Sequence, residues 1–548
     1  MVLIDRVAAW RAAGRQAEER LARRAARLGR AGMVVPVVAT LVAFSALALV
    51  TPHGLANGDA AVYAEQIEQR AFDERSVHIG YTVVAGLLLG LPETVSDRGL
   101  NLVSALFSAA TVGMVARAAI VITGRLPLGA LAAAATLVSW TFARDAALAE
   151  VHAGQVFFLV LAAWSWVRGR AAVAGVALAV SVLHTPSSLF AVPAFAVVRP
   201  DLRRLVTLGA VGGGITLAVL AGVWQDYFHG PRGLLAATSG GLSLSGKVVK
   251  EGVEVLFGVF ALLPLALLGG WRLLRRRRDR PAAVGFVVLW AVTFVLGERF
   301  ADVPVQLPTW TALSLISALG AAELIARLRA RGARRSLWLA ATGAVALLPL
   351  GALAVVRGRS SVFAQVSDGR LAAMALLIVA AVGAAAVIGR RDPRRAVTVV
   401  SVGLLAAGLL LVATLASAER AKIDDYRRDV LALRPVFTED DAEALAAAGW
   451  SRAILFERYL FGASYTGRAI NAEWWSDGGD AEGERARRHR DRVVAAGYDI
   501  WLLDAFPEIR TDLEAVGYRF SSDGAFWRGV RASTTAEPVT QQQTEGSS

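Results

Sequence analysis

His78-Ile79-Gly80-Tyr81-Thr82-Val83-Val84-Ala85-Gly86-Leu87-Leu88-Leu89-Gly90-Leu91 decides the topology of every segment that follows it. As a helix this apolar run is ~21 Å long, against a hydrocarbon core of ~30 Å, and stretches this short are more often re-entrant or interfacial than spanning. If it crossed, the loops carrying Arg275 to Arg278, Arg390/Arg391 and Arg394/Arg395 would all face outward. If it turns back, every strongly basic loop faces the cytoplasm, as the positive-inside rule requires. The second reading is adopted here.

Composition sets the context. The chain has 548 residues, 55% hydrophobic and 19% charged, and a mean hydropathy of +0.50. That balance fits a polytopic membrane protein rather than a string of soluble domains. The net charge of +13 sits in short arginine clusters between apolar runs, so it reads as a topology signal and not as a nucleic-acid surface. With no cysteine, disulfides, thiolate metal sites and cysteine nucleophiles are excluded. Residues 1–31 are rich in Arg and Ala with no apolar core, which predicts a cytoplasmic basic helix rather than a signal peptide.

Residues 32–417 read as the membrane domain. The first span runs from about Gly32 to Thr51, behind Arg23, Arg24, Arg27 and Arg30. Further spans fall near Leu100–Val121, Pro127–Phe142, Ala153–Val167, Ala171–Leu183, Ser187–Val198, Leu205–Trp224 and Gly252–Gly270. Pro281–Gly297, Pro308–Ala326, Leu337–Val356, Leu371–Gly389 and Ala396–Ser417 complete the set. The expectation is about thirteen spans and an outer C-terminus, with the arginines of the outer loop Arg357 to Arg370 running against the pattern. Residues 418–532 shift to ordinary soluble composition and read as a small extracytoplasmic α/β domain. Its predicted elements are strands at Ala453–Phe456 and Ile500–Leu503, a helix over Glu482–Ala496, and a hairpin from Tyr518–Ser522 and Ala525–Val530 about Asp523-Gly524. Residues 533–548 read as a disordered tail.

Four polar sites then fall on the outer face: the Asn57 to Glu65 segment, the Arg144/Asp145/Glu150/His152 turn, His184-Thr185-Pro186, and the loop beginning Glu298-Arg299. Ala60, Tyr63, Ala64, Ile67 and Ala71 recur at helical spacing opposite Glu65, Glu68 and Gln69, which predicts an amphipathic helix on the membrane surface. Asp59 at its start is either a helix N-cap or a catalytic carboxylate. Glu65, Glu68, Asp73 and Glu74 read as a solvated face. Glu150 and His152 open a span, where an ionisable group is a functional candidate or a snorkelling side chain. His78 is a candidate or simply an interfacial histidine. His184 precedes a chain break between two short spans, and non-helical backbone at that depth lines a cavity. No HExxH or comparable spacing supports a metal.

The arrangement resembles the GT-C class of membrane glycosyltransferases. These carry an aspartate in the first outer loop, juxtamembrane helices before span two, and an acidic position at the outer end of a later span. More narrowly, Asp59, His78-Ile79-Gly80-Tyr81, Ala149-Glu150-Val151-His152 and His184 resemble the protein O-mannosyltransferase-like family, whose motifs are Asp-x-x-Glu, His-Pro-Pro-Gly-Tyr-Pro and Ala-Glu-Val-Tyr with a later histidine. The match covers about Gly32 to Val198. Val62 stands for the motif glutamate, Ile79 for both prolines, and His152 for the tyrosine.

The resemblance implies a GT-C-like fold in a bacterial plasma membrane. The implied activity is inverting transfer of a sugar, hexosyl or mannosyl, from a polyprenyl-phosphate donor to a hydroxyl on a protein, glycan or lipid. Asp59 and Glu150 would be catalytic, and His78, Tyr81, Arg144, His152, His184 and Arg299 would bind donor or acceptor. No cofactor, metal or nucleic acid is implied. Two other classes fit the composition. A lipid-linked saccharide transporter or flippase calls for ionisable residues at mid-bilayer and repeat symmetry, neither of which is found. A non-catalytic membrane receptor would bind through its outer domain.

Overall fold

The computed structural model describes residues 16, 18–70, 78–221, 258–276, 279–297, 307–330, 335–358, 363–389, 391–438, 444–462, 469–472, 481–504, 506–523 and 525–531. Asp73, Glu74, Glu298, Arg299, Gly524 and the tail lie outside these residues. The chain forms two compact units, Met1–Gly54 with Gln66–Lys422, and Leu55–Glu65 with Ile423–Ser548.

The first unit is helical. Its described helices are α1 (Ala31–Val50), the last turn of α2 (Gly58–Gln69), α3 (Ile79–Leu89), α4 (Asp97–Thr123), α5 (Leu126–Leu137), α6 (Trp140–Ala146), α7 (Val151–Val167), α8 (Ala171–His184), α9 (Val192–Val198) and α10 (Leu202–Leu220). After these come α11 (Leu263–Arg275), α12 (Arg280–Gly297), α13 (Leu307–Ala330), α14 (Arg335–Val356), α15 (Asp368–Ile388) and α16 (Pro393–Ala432). Among the described residues, 7 helices are long and apolar enough to cross a membrane, and α3, α5, α7 and α8 are among shorter apolar ones. The protein is a multi-pass membrane protein. Valines and leucines point outward from α1, α10 and α15, as expected where lipid rather than water covers the helix.

Helix α3, with its 11 residues, is ~16 Å long, about half the hydrocarbon thickness. It stops where Gly90 adopts φ +80° and Leu91 N–H donates back to the Gly86 carbonyl at 2.8 Å, a left-handed stop that glycine accommodates without strain. The decisive apolar run is therefore short, as its sequence indicates.

Three expected spans are broken. Pro127–Phe142 divides into α5 and α6 at Val138-Ser139. Ser187–Val198 is a 3-10 turn, Pro186–Ala191, followed by α9. Gly252–Gly270, where described, turns at Phe260–Leu262 before α11 begins. Pro186, Pro193 and Pro264 sit in the first turn of the new segment in the last two cases, where a residue without N–H costs nothing.

The second unit is a three-layer α/β fold. It holds the first part of α2, the end of α16, α17 (Arg434–Thr438), β1 (Ala444–Ala448), α18 (Trp450–Phe461), β2 (Ala469–Asn471), α19 (Ala481–Ala496), β3 (Asp499–Leu502), α20 (Pro507–Ala515), β4 (Tyr518–Asp523) and β5 (Phe526–Arg531). The sheet order is β2-β1-β3-β5-β4, with β1 parallel to β2 and β3, and β5 antiparallel to β3 and β4. Alternate residues of β1 serve opposite cores. Ala446 and Ala448 join Val430, Phe437, Phe456 and Trp501, while Leu445 and Ala447 join Ile470, Ile500, Leu513 and Tyr518, the period of two that a strand imposes.

Here one expectation is corrected. Ala453–Phe456 is not a strand but the middle of α18, and its apolar residues are all buried on a helix. The strand role falls to Ala444–Ala448, whose composition favours helix. Both neighbours of β1 are parallel strands, so its backbone pairs on both edges, and alanine lets helices close over both faces.

Candidate functional site

In the membrane unit five of the sequence-predicted residues, His78, Tyr81, Glu150, His152 and His184, lie about the junction of α3, α4, α7 and α8. Asn101, fully buried in α4, is the joint. Its Nδ2 donates to the carbonyls of Pro52 at 3.2 Å and Gly54 at 2.8 Å, and its Oδ1 accepts from Ala149 N–H at 2.7 Å. One turn on, Ser104 Oγ lies 3.3 Å from both the N and the O of Glu150, and 3.1 Å from the Tyr81 hydroxyl. The backbone of Glu150 is thus clamped at the start of α7 while its half-buried carboxylate does not cap that helix.

Helix α3 meets α8 through backbone. His78 Nδ1–H donates to the His184 carbonyl at 2.6 Å, and a Cβ on Gly80 would lie 2.6 Å from the Leu183 carbonyl carbon, so only glycine permits this approach. His184 itself is fully buried. Its Nδ1–H donates to the Val180 carbonyl at 2.8 Å, and its ring lies 5.3 to 6.2 Å from those of Phe158, Phe107 and Tyr81. Gly154 closes the far side, because a Cβ there would sit 2.4 Å from His184 Nε2. This enclosure differs from the cavity-lining role expected for His184. It is a helix-end histidine that joins α3, α7 and α8.

His152 heads a second buried chain. Its Nδ1 is 3.0 Å from Gln155 Oε1, and Gln155 Nε2–H donates to Ser187 Oγ at 3.0 Å and Ser188 Oγ at 3.1 Å. Ser181 Oγ closes the chain on the Gln155 carbonyl at 2.9 Å. The serines of the 3-10 turn are therefore satisfied internally, while the Thr185 hydroxyl and His184 Nε2 beside them are buried without a hydrogen-bond partner among the described residues.

Arg144 pairs with the buried Asp145 at 2.7 Å and lines a shallow pocket with Val50, Pro52, Trp140, Leu148, Glu419 and Arg420. Arg420 was not singled out from sequence, although it follows directly on the last apolar run. Neither was Asn101, whose signal was an amide among apolar residues near the start of a span. Among the described residues no group of three or more His, Asp or Glu is placed to hold a metal ion.

Asp59 belongs to the second unit, where it is exposed in the first turn of α2. It is not the cap of that helix, since Asn57 Oδ1 accepts from Ala60 N–H at 2.9 Å. The expected apolar face of the helix is buried at Ala60, Tyr63, Ala64 and Ile67, with Glu65 and Glu68 half-buried and Gln69 exposed, and burial extends further to Ala61 and Val62. In the membrane unit Glu68, expected to be solvated, accepts from Val95 N–H at 2.6 Å.

No protein-family model and no curated sequence matches the chain. Solved structures do. ArnT from Cupriavidus metallidurans bound to undecaprenyl phosphate aligns with a TM-score of 0.58 and 14% identity over 92% of this chain and 99% of that one. Its apo state gives 0.58 and 16% over 90% and 97%. An Archaeoglobus fulgidus oligosaccharyltransferase tethered with an acceptor peptide gives 0.45 and 10% over 92% and 74%. The fold is that of the GT-C class of membrane glycosyltransferases. Within that class it is the ArnT arrangement that this chain matches over nearly its full length.

Proposed function

We propose that the protein is an inverting glycosyltransferase that moves a sugar from a polyprenyl-phosphate donor to an acceptor hydroxyl at the outer membrane face. The observation that carries this reading is the Arg144/Arg420 pocket. Helix α16 is apolar from Ala396 through Ser417 and turns charged at Glu419-Arg420, which supports a donor phosphate held beside these arginines. The ArnT fold, solved with undecaprenyl phosphate, supports a donor of that chemistry. In the reaction the acceptor oxygen bonds to the anomeric carbon as the bond from that carbon to the phosphate oxygen breaks, inverting the centre. The acceptor proton passes to the Asp59 carboxylate. The leaving phosphate keeps the electron pair, and Arg144 and Arg420 stabilise its charge. Glu150 supplies a second carboxylate for the acceptor hydroxyls. Arg299 remains a candidate donor contact from the sequence. The N-terminus is cytoplasmic, residues 418–532 form an outer domain, and polyprenyl-phosphate mannose is the first donor to test.

Membranes carrying Asp59→Asn are expected to lose transfer from a labelled polyprenyl-phosphate sugar by ~100-fold to 10,000-fold. Arg420→Ala is expected to raise the donor KM. Full activity in Asp59→Asn would overturn the base assignment.

A further inference from the structure

The α/β unit has a topological switch point. From β1 the chain passes through α18 to β2 on one side, then returns through α19 to β3 on the other side of β1. In open α/β sheets the crevice beyond the carboxyl ends of two such strands receives ligands. Here Asp504 Oδ2 accepts from Gly449 N–H at 3.0 Å and Asp504 Oδ1 pairs with Arg452 at 2.5 Å, so a carboxylate already occupies the start of α18. The rim receives a piece of the same chain instead. Gly58 N–H donates to Ser451 Oγ at 2.7 Å in the first turn of α18. In its last turn the Tyr459 hydroxyl accepts from Leu55 N–H at 2.8 Å and donates to the Leu55 carbonyl at 3.2 Å.

The two contacts form a matched pair. Ser451 and Tyr459 are ~12 Å apart along the helix axis, and the chain from Leu55 to Gly58 spans up to ~10 Å when extended. One helix thus holds both ends of the segment that leads into Asp59, running antiparallel to it. The anchor is itself fixed, because the Tyr459 ring packs 6.4 Å from Tyr426 and lies under Arg427, and the Tyr426 hydroxyl donates to the Arg452 carbonyl at 2.9 Å. Leu55 and Ala60 to Ala64 are buried while Asp59 is exposed.

We propose that Ser451 and Tyr459 are positioning residues of the transferase, and that the task of the C-terminal unit is to hold the Asp59 segment in its working conformation. The proposal rests on Asp59 being the base. Tyr459→Phe removes one hydroxyl and keeps the ring, Ser451→Ala removes the other, and Ser451→Thr keeps a hydroxyl. In the full-length protein, the double variant Tyr459→Phe/Ser451→Ala is expected to speed hydrogen exchange of the peptide covering Leu55 to Ala60 by about tenfold. Its kcat is expected to fall ~10-fold to 100-fold with the donor KM held within about twofold, while Ser451→Thr restores most of the kcat lost in Ser451→Ala. Unchanged exchange at that peptide overturns the proposal. So does an unchanged kcat in the double variant when Asp59→Asn abolishes transfer. Full transfer by Asp59→Asn would instead remove the base assignment, and the exchange measurement, which needs no turnover, tells the two failures apart.

Discussion

A buried amide in an apolar helix is stable only when its donors and acceptor are all satisfied, and Asn101 meets that condition with three backbone partners. Its removal leaves Ala149 N–H and the Pro52 and Gly54 carbonyls without their partner, and each group stranded away from water costs about 1–3 kcal/mol. Asn101→Leu, which fills similar volume, is therefore expected to lower the thermal unfolding midpoint in detergent well below that of wild type. Asn101→Asp keeps the acceptor for Ala149 and should fall between the two. Equal midpoints for Asn101→Leu and wild type would show that the joint bears no load. The same residue explains why motif reading stopped short. Glu150 and His152 stand out as ionisable groups at a span entrance, whereas the side chains that fix them, Asn101, Ser104 and Gln155, are polar residues of kinds that recur in any membrane helix.

At the scale of the element, the caps are local chemistry, whereas the breaks in Pro127–Phe142, Ser187–Val198 and Gly252–Gly270 did not show in the apolar runs that contain them. Asp392 opens α16, accepting from Arg394 N–H at 2.9 Å and Arg395 N–H at 3.2 Å. The Arg395 amide, with Arg394 and both guanidinium charges, holds its carboxyl below the usual value near 3.8. A carboxylate depressed in the folded state stabilises above its unfolded pKa, and that contribution is lost as pH falls through the folded one. Asp392→Ala is accordingly expected to unfold at lower temperature than wild type at neutral pH, with the two midpoints converging as pH falls through the depressed folded pKa of Asp392. A gap independent of pH would assign the effect to something other than the charged cap. The β elements were less legible for a non-local reason. The hairpin Tyr518–Asp523 and Phe526–Arg531 announces itself through Asp523-Gly524. Ala444–Ala448 becomes a strand only because Asp499–Leu502 and Ala469–Asn471 flank it, partners that no window around residue 446 contains.

Over the whole molecule, hydropathy and the arginine clusters were enough to indicate a polytopic scaffold, while the division of the chain was not. Leu55–Glu65 folds with the C-terminal unit, and the bonds that place it join residues 393 and 404 positions apart. Periodicity cannot report such contacts, so the segment reads from sequence as a surface helix rather than as part of an α/β domain. The charge distribution makes a claim that can still be tested at this scale. A short α3 that does not cross puts the Arg144 turn on the outer side and the Arg276 loop on the inner side. The chain has no cysteine, so single-cysteine variants carry one reactive thiol each without background. A cysteine beside Arg144 is expected to react with an impermeant maleimide added to intact cells, and one beside Arg276 to react only after the membrane is opened. If the pattern is inverted, the run from His78 to Leu91 crosses after all. Asp59 would then face the opposite side from Glu150, and the proposed transfer chemistry could not stand.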